Sequence, residues 1–227
     1  MARRARLRLA GFPWHIVQRG HNRSACFDER ADYLFYLGTL EELAPRFDCR
    51  LHALVLMTNH VHLLLTPERS DSASLLMKHL GQRYTQFINR RRGRTGTLWE
   101  SRFHSCIAES GGYVLACYRY IEMNPVRAGM AMGPDEYRWS SHGTNAHGRP
   151  WPLISPHADY LRLGLESSER QRAYRMLFET GPDSATVEQI RRATKGNFVL
   201  GGADFANAVE HIAGQRARLG HAGRPRK

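Results

Sequence analysis

Long apolar runs are missing from this chain. No stretch approaches the roughly 20 consecutive apolar residues that a bilayer-spanning helix needs, so a helical membrane protein is excluded as a reading. The N-terminal stretch carries Arg3, Arg4, Arg6 and Arg8 and lacks the apolar core of a secretion signal. Cysteine is scarce. Cys26, Cys49, Cys106 and Cys117 form no CxxC pair, and none stands with histidine at zinc-finger spacing. A disulfide scaffold is therefore excluded, and the four thiols read as reduced and buried in a cytoplasmic protein. A glycine-rich nucleotide loop is also absent, which argues against a phosphoesterase of small substrates. No internal repeat is visible. Acidic residues are outnumbered, with 21 Asp+Glu against 33 Lys+Arg and a net charge of +12 over 227 residues. That balance calls for a polyanionic partner, with nucleic acid ahead of a membrane surface.

Periodicity predicts a first strand over residues 14–19. A helix follows over 29–47, with Tyr33, Leu37, Leu40 and Ala44 at helical spacing and Pro45 near its end. Strands over 50–57 and 60–66 flank the turn residues Thr58 and Asn59, which makes a hairpin. Residues 71–91 are helical, with Leu76, Leu80, Tyr84 and Phe87 on one face. A basic loop spans 89–96, a fourth strand 103–109 and a third helix 113–123, limited by Asn124-Pro125. The order β-α-β-β-α-β predicts an α+β fold of the ferredoxin-like, RRM-like type: an antiparallel sheet with helices on one face and the other face left for a site. Residues 140–156, rich in Gly, Pro, Ser, His and Asn, read as a linker. Helices are predicted over 168–179, 184–194 and 203–216, with Gly196 as a C-cap. The expected division is a domain over 8–140 and, over 141–227, a linker, a helical extension and a basic tail.

His60-Val61-His62 carries the chemistry. On a strand, residues two apart share a face, so the two imidazoles project together. Such a pair can hold one divalent metal but cannot close its shell; it can also be a pair of hydrogen-bonded sheet histidines. Tyr120 and Asn124, four apart, share one helix face. Asn124 offers a hard amide oxygen to Mg²⁺ or Mn²⁺, or else caps the helix, and Tyr120 lies one turn away as a candidate nucleophile. Tyr118 is turned away from Asn124, and Tyr113 lies almost three turns off.

Several stretches in the same order resemble one family. They are Met57-Thr58-Asn59-His60-Val61-His62-Leu63-Leu64-Leu65, Gly96-Thr97-Leu98-Trp99-Glu100, Arg102-Phe103 and Tyr120-Ile121-Glu122-Met123-Asn124-Pro125-Val126-Arg127-Ala128-Gly129. Together they resemble the REP-associated tyrosine transposases, a branch of the single-tyrosine HUH transposases. The resemblance implies His60 and His62 as metal ligands, Asn124 at the third-ligand position where many relatives carry Gln, and Tyr120 as the nucleophile. His104 stands where a lysine is expected. The implied reaction is site-specific cutting and rejoining of single-stranded DNA at REP-type palindromic hairpins, through a 5′-phosphotyrosine and with Mg²⁺ or Mn²⁺. The alternative is a hairpin-binding protein at repeat loci that no longer cuts.

Expected DNA contacts are Arg83, Arg90, Arg91, Arg92 and Arg94 for the phosphate backbone, His104 for a phosphate, Trp99 for base stacking, and Arg224 and Arg226 in the tail. The protein is expected in the bacterial cytoplasm, associated with the nucleoid, as a monomer or a homodimer.

Overall fold

The computed structural model describes residues 5–180 and 183–218. Strand β1 (Trp14–Arg19) leads to helix α1 (Arg30–Arg46), then β2 (Cys49–Met57) and β3 (His60–Pro67). Helix α2 (Ser72–Arg91), strand β4 (His104–Ala108), helix α3 (Gly112–Glu122) and the single turn α4 (Asn124–Arg127) follow. Beyond them come α5 (His142–His147), α6 (Ala158–Leu161), α7 (Ser167–Glu179), α8 (Ser184–Gly196), β5 (Val199–Leu200) and α9 (Ala203–Ala213). The expected elements of the first 123 residues are all present, with ends shifted by one or two residues. Pro45 sits in the last turn of α1 and does not bend it away from its end.

The sheet runs β2-β3-β1-β4-β5 among the described residues. Its first four strands pair antiparallel in the split βαβ order, and β3, which carries the two histidines, is interior. The fifth strand was not expected. Val199 and Leu200 pair parallel to Ile107 and Ala108, so the C-terminal part of the chain completes the sheet.

Helices cover both faces, not one. Trp14, Ile16, Leu54, Leu56, Val61, Leu63 and Leu65 pack under α1 and α2. On the opposite face Ala53, Val55, Met57, Leu64 and Cys106 meet Cys117, Tyr118 and Ile121 of α3 and Ile190 of α8. The physical reason lies in Leu63, Leu64 and Leu65. Three consecutive apolar residues on a strand must bury both of its faces. Each fully buried leucine contributes about 1.5–3 kcal/mol.

The turn into α3 depends on Gly111, whose φ of 91° and ψ of −137° no residue with a Cβ adopts readily. Its N–H donates to Asp159 Oδ2 at 2.6 Å, which ties the start of α3 to α6.

Residues 140–156 are not a linker. Leu56 N donates to Trp139 O at 2.9 Å, Ser141 N to Leu54 O at 3.0 Å and Ser155 N to Leu51 O at 2.6 Å. These bonds occupy the outer edge of β2, which would otherwise expose unpaired backbone. Gly196 is also not the left-handed cap of α8. That conformation belongs to Asn197, at φ 53°, and Asn197 Oδ1 accepts from Ser105 N of β4. An asparagine tolerates this region and adds an anchoring bond that glycine could not make.

Candidate active site

The sheet alternation places His15 and Val17 of β1, His60 and His62 of β3 and His104 of β4 along one cleft. Its volume is ≈ 830 Å³. Tyr120, Asn124 and Arg127 close one side of it, and Arg191, Thr194 and Lys195 of α8 close another. The expected pairing of the histidines with Tyr120 and Asn124 is therefore a spatial fact. The Tyr120 ring stands edge-on to His62 at 5.6 Å and to His15 at 5.5 Å between centroids.

A chain of hydrogen bonds fixes the tautomers. The Thr194 hydroxyl donates to Ile190 O at 2.8 Å, so its oxygen accepts from His15 Nδ1–H at 3.0 Å. His15 Nε2 is then an acceptor and takes the His62 Nδ1–H at 2.9 Å. That leaves His62 Nε2 as a bare lone pair. For His60, Asn59 Nδ2 donates to Arg23 O at 3.1 Å, so Asn59 Oδ1 accepts from His60 Nδ1–H at 2.6 Å. Both histidines of the pair thus keep Nε2 unprotonated, the form that binds a metal.

Burial reinforces this. It pushes the His15 pKa down to about 3 and that of His60 down to about 4, with the nearby Arg127 adding to the effect in both. His62 also lies well below the ordinary range, first by burial and then through the neighbouring His60 and His15. All three are neutral at physiological pH.

The His60 and His62 rings stand 5.0 Å apart between centroids, and neutral imidazoles with free Nε2 lone pairs are a donor set that suits a divalent ion. The fit of Asn124 is narrower. Its Nδ2 donates to Tyr120 O at 3.3 Å, the helix-capping bond, and its Oδ1 accepts from Arg127 Nη2 at 3.2 Å. The amide oxygen has one lone pair left for any further partner. The Arg127 guanidinium carbon lies 4.2 Å from the centroid of the Tyr120 ring.

The expected DNA contacts separate into groups. His104 lines the cleft. Arg83 is paired with Glu42 at 2.7 Å. Arg91 and Arg92 are held by acidic residues around the start of α1: Arg91 by Glu29 and Asp32, Arg92 by Asp28 and Asp32. Asp32 is fully buried and also closes the capping box of α1, so these two arginines secure a helix end. Arg94 donates to Thr97 O at 3.0 Å within its own loop. Arg90 is exposed at the end of α2 and lines neither the cleft nor the groove beside α2. Trp99 is 7% exposed and packs against Tyr84 and Tyr36, with its remaining surface in the groove beside α2. Arg224 and Arg226 lie outside the described residues.

The cleft instead takes its charge from Arg19, Arg23, Arg102, Arg127, Arg191 and Lys195, against Glu100 alone. Alternation on β1 could have pointed to His15 and Arg19, and helical spacing from Asn124 to Arg127. Nothing local marks Arg191, Thr194 or Lys195.

The cleft thus combines two neutral imidazoles on a sheet with a tyrosine from the helix that crosses it. The chain belongs to the IS200-like transposases: the family model "Transposase IS200 like" matches residues 10–124. Members of this family are enzymes that act on DNA, generally with a divalent metal ion. The fold is that of the REP-associated tyrosine transposase. A solved structure of that protein bound to a REP hairpin superposes with a TM-score of 0.57 at 17% identity, covering 70% of this chain and 93% of its own. A putative transposase from Deinococcus radiodurans R1 is also similar, with a TM-score of 0.36 and 20% identity over 57% of this chain and 98% of its own. No curated protein matches the chain. Among the described residues no helix is long and apolar enough to cross a membrane.

Proposed function

We propose that this protein cuts and rejoins single-stranded DNA at palindromic, REP-type hairpins, with Tyr120 as the nucleophile. The observation that carries this reading is the convergence of the Tyr120 ring, the Arg127 guanidinium and the two bare Nε2 atoms of His60 and His62 in one basic cleft. A hairpin partner is supported by the similarity to the hairpin-bound structure and by the net charge of +12.

Cleavage follows from the residues. The Tyr120 phenol oxygen attacks the scissile phosphorus and loses its proton. The bond from phosphorus to the 3′ oxygen breaks, and that oxygen leaves as a 3′-OH once protonated. The 5′ end remains on Tyr120 as a phosphotyrosine, which preserves the bond energy for resealing by a second 3′-OH. His60 and His62, with the remaining lone pair of Asn124 Oδ1, would hold Mg²⁺ or Mn²⁺. When bound, such an ion polarises a non-bridging phosphate oxygen and orients the scissile bond. Arg127 keeps a positive charge at the phenol. Its charge interacts with the Tyr120 hydroxyl, and among the described residues its buried Nε and Nη1 make no other hydrogen bond, so the guanidinium retains donors for a phosphate. Asn124 fixes that guanidinium through Oδ1.

The test is incubation of the purified protein with end-labelled hairpin DNA and Mn²⁺. A protein–DNA adduct that survives denaturing electrophoresis, and that EDTA prevents, is the expected result. Hairpin binding without any adduct or nicked strand would leave a DNA-binding protein instead of an enzyme.

Thr194→Val probes the tautomer chain. Valine has the same shape but cannot accept the His15 Nδ1–H, so His62 Nδ1–H loses its fixed acceptor. Mn²⁺ affinity is expected to fall about 10–100-fold, as for other partners of ligating histidines. An unchanged dissociation constant by calorimetry would show that the chain does not orient His62.

A further inference from the structure

Away from the cleft, Asp135, His142 and His147 bring a carboxylate oxygen and two imidazole nitrogens within 4.8 Å of one another. Asp135 lies on the 3-10 turn Pro134–Glu136, and the two histidines begin and end α5. No step of DNA cleavage uses them.

Their surroundings are built from the inside outward. Glu122, on α3 two residues beyond Tyr120, is completely buried. Its Oε1 accepts from Ser141 Oγ at 2.5 Å and Asn145 Nδ2 at 2.8 Å, and its Oε2 from Tyr174 Oη at 2.7 Å and His142 Nδ1 at 3.0 Å. Four donors surround the carboxylate, and His142 Nδ1–H is one of them. That turns the other ring nitrogen, His142 Nε2, toward Asp135 Oδ1 at 3.3 Å. His147 Nε2 lies 2.5 Å from the same oxygen. Protons can bridge these contacts, but a divalent cation would use all three ligand atoms at once.

We propose that Asp135, His142 and His147 form a second metal site, selective for a zinc-type divalent ion, with Glu122 as the outer carboxylate that orients His142. Two imidazole nitrogens and one carboxylate oxygen are a zinc donor set, and a ligating histidine normally gives its other N–H to a carboxylate. Metal–ligand bonds of about 2.0–2.1 Å in a tetrahedron set ligand atoms roughly 3.3–3.4 Å apart. The His142–Asp135 separation of 3.3 Å already has that value. The His147–Asp135 contact widens by roughly 0.8 Å when the ion enters, a movement open to two side chains that are 34% and 54% exposed. Water fills the fourth position from the solvent side. The ion clamps the 133–147 segment to α3 through Glu122, and so braces the helix that carries Tyr120.

The test uses the full-length protein with His60→Ala and His62→Ala, stripped of metal and titrated with Zn²⁺ alone by calorimetry. This background removes the cleft histidines, so the result does not depend on the DNA-cleavage reading. A single Zn²⁺ is expected to bind, and a hundredfold excess over the dissociation constant should raise the melting temperature by about 5–10 °C. Adding His147→Ala or Asp135→Asn, both at exposed positions, should weaken binding on the order of 100-fold or more, since even an outer partner is worth about 10–100-fold. Glu122→Gln should weaken it about 10–100-fold with all three ligands intact. Absence of Zn²⁺ binding to the background protein, or equal affinity after His147→Ala in a variant with unchanged circular dichroism, would overturn the site and leave a proton-bridged cluster.

Discussion

Tyr120→Phe is expected to abolish the covalent DNA adduct and to leave hairpin affinity unchanged. The substitution removes one oxygen from a ring that is 6% exposed, so the packing against His15 and His62 persists. The cation of Arg127 also keeps its ring face. What disappears is the oxygen proposed to attack phosphorus, and the neighbouring Tyr118 is not placed to replace it. Tyr118 is fully buried and its hydroxyl accepts from His157 N at 3.2 Å. Loss of a covalent nucleophile costs on the order of 10⁴-fold or more in rate, about 5 kcal/mol of barrier. Denaturing gels with labelled hairpin read the adduct, and filter binding reads the affinity. Adduct formation at the wild-type level would remove Tyr120 from the mechanism.

Replacement of both His60 and His62 by alanine is expected to eliminate divalent-dependent cleavage. The two Nε2 atoms are the bare donors aimed into the cleft, and a metal-polarised phosphate is worth several kcal/mol of barrier. His62 is buried and accounts for one bond of the Thr194–His15 chain, so its loss also removes packing. His60 is only partly buried, and His60→Ala alone separates chemistry from stability. That single variant is expected to fold, to bind hairpin DNA and to cleave at least 100-fold more slowly, the scale of a lost charge-stabilising group. Cleavage by wild-type protein that EDTA does not touch would contradict the metal assignment.

Much of this site was legible because its signals are local. Two histidines flanking a valine share a strand face whatever the rest of the chain does, and Tyr120 and Asn124 share a helix face for the same reason. The α+β class followed from element order, and the strand boundaries from runs such as Leu63-Leu64-Leu65. That same run also announced a sheet buried on both faces, which an expectation of one open face had overlooked.

The partners of the arginines were not legible, because a charge in a sequence does not say what it neutralises. Arg91 and Arg92 look like a phosphate-binding loop until α1 brings Asp32 beneath them. Trp99 looks like a stacking platform until Tyr84 and Tyr36 pack against it. The six residues that charge the cleft come from four stretches of the chain, around 19–23, 102, 127 and 191–195, and none forms a run.

By itself, the sequence determined the periodic parts of this protein: which residues lie on strands and helices, that two imidazoles face one way, and that a tyrosine lies one turn from an amide. Tertiary structure alone decided which nitrogen of each imidazole is bare. That choice passes from His62 through His15 to Thr194, whose hydroxyl stands 179 positions from His15 and reaches it only because α8 folds across the sheet. Periodicity is a property of neighbouring residues, whereas a tautomer is set by whichever group the fold brings within hydrogen-bond distance.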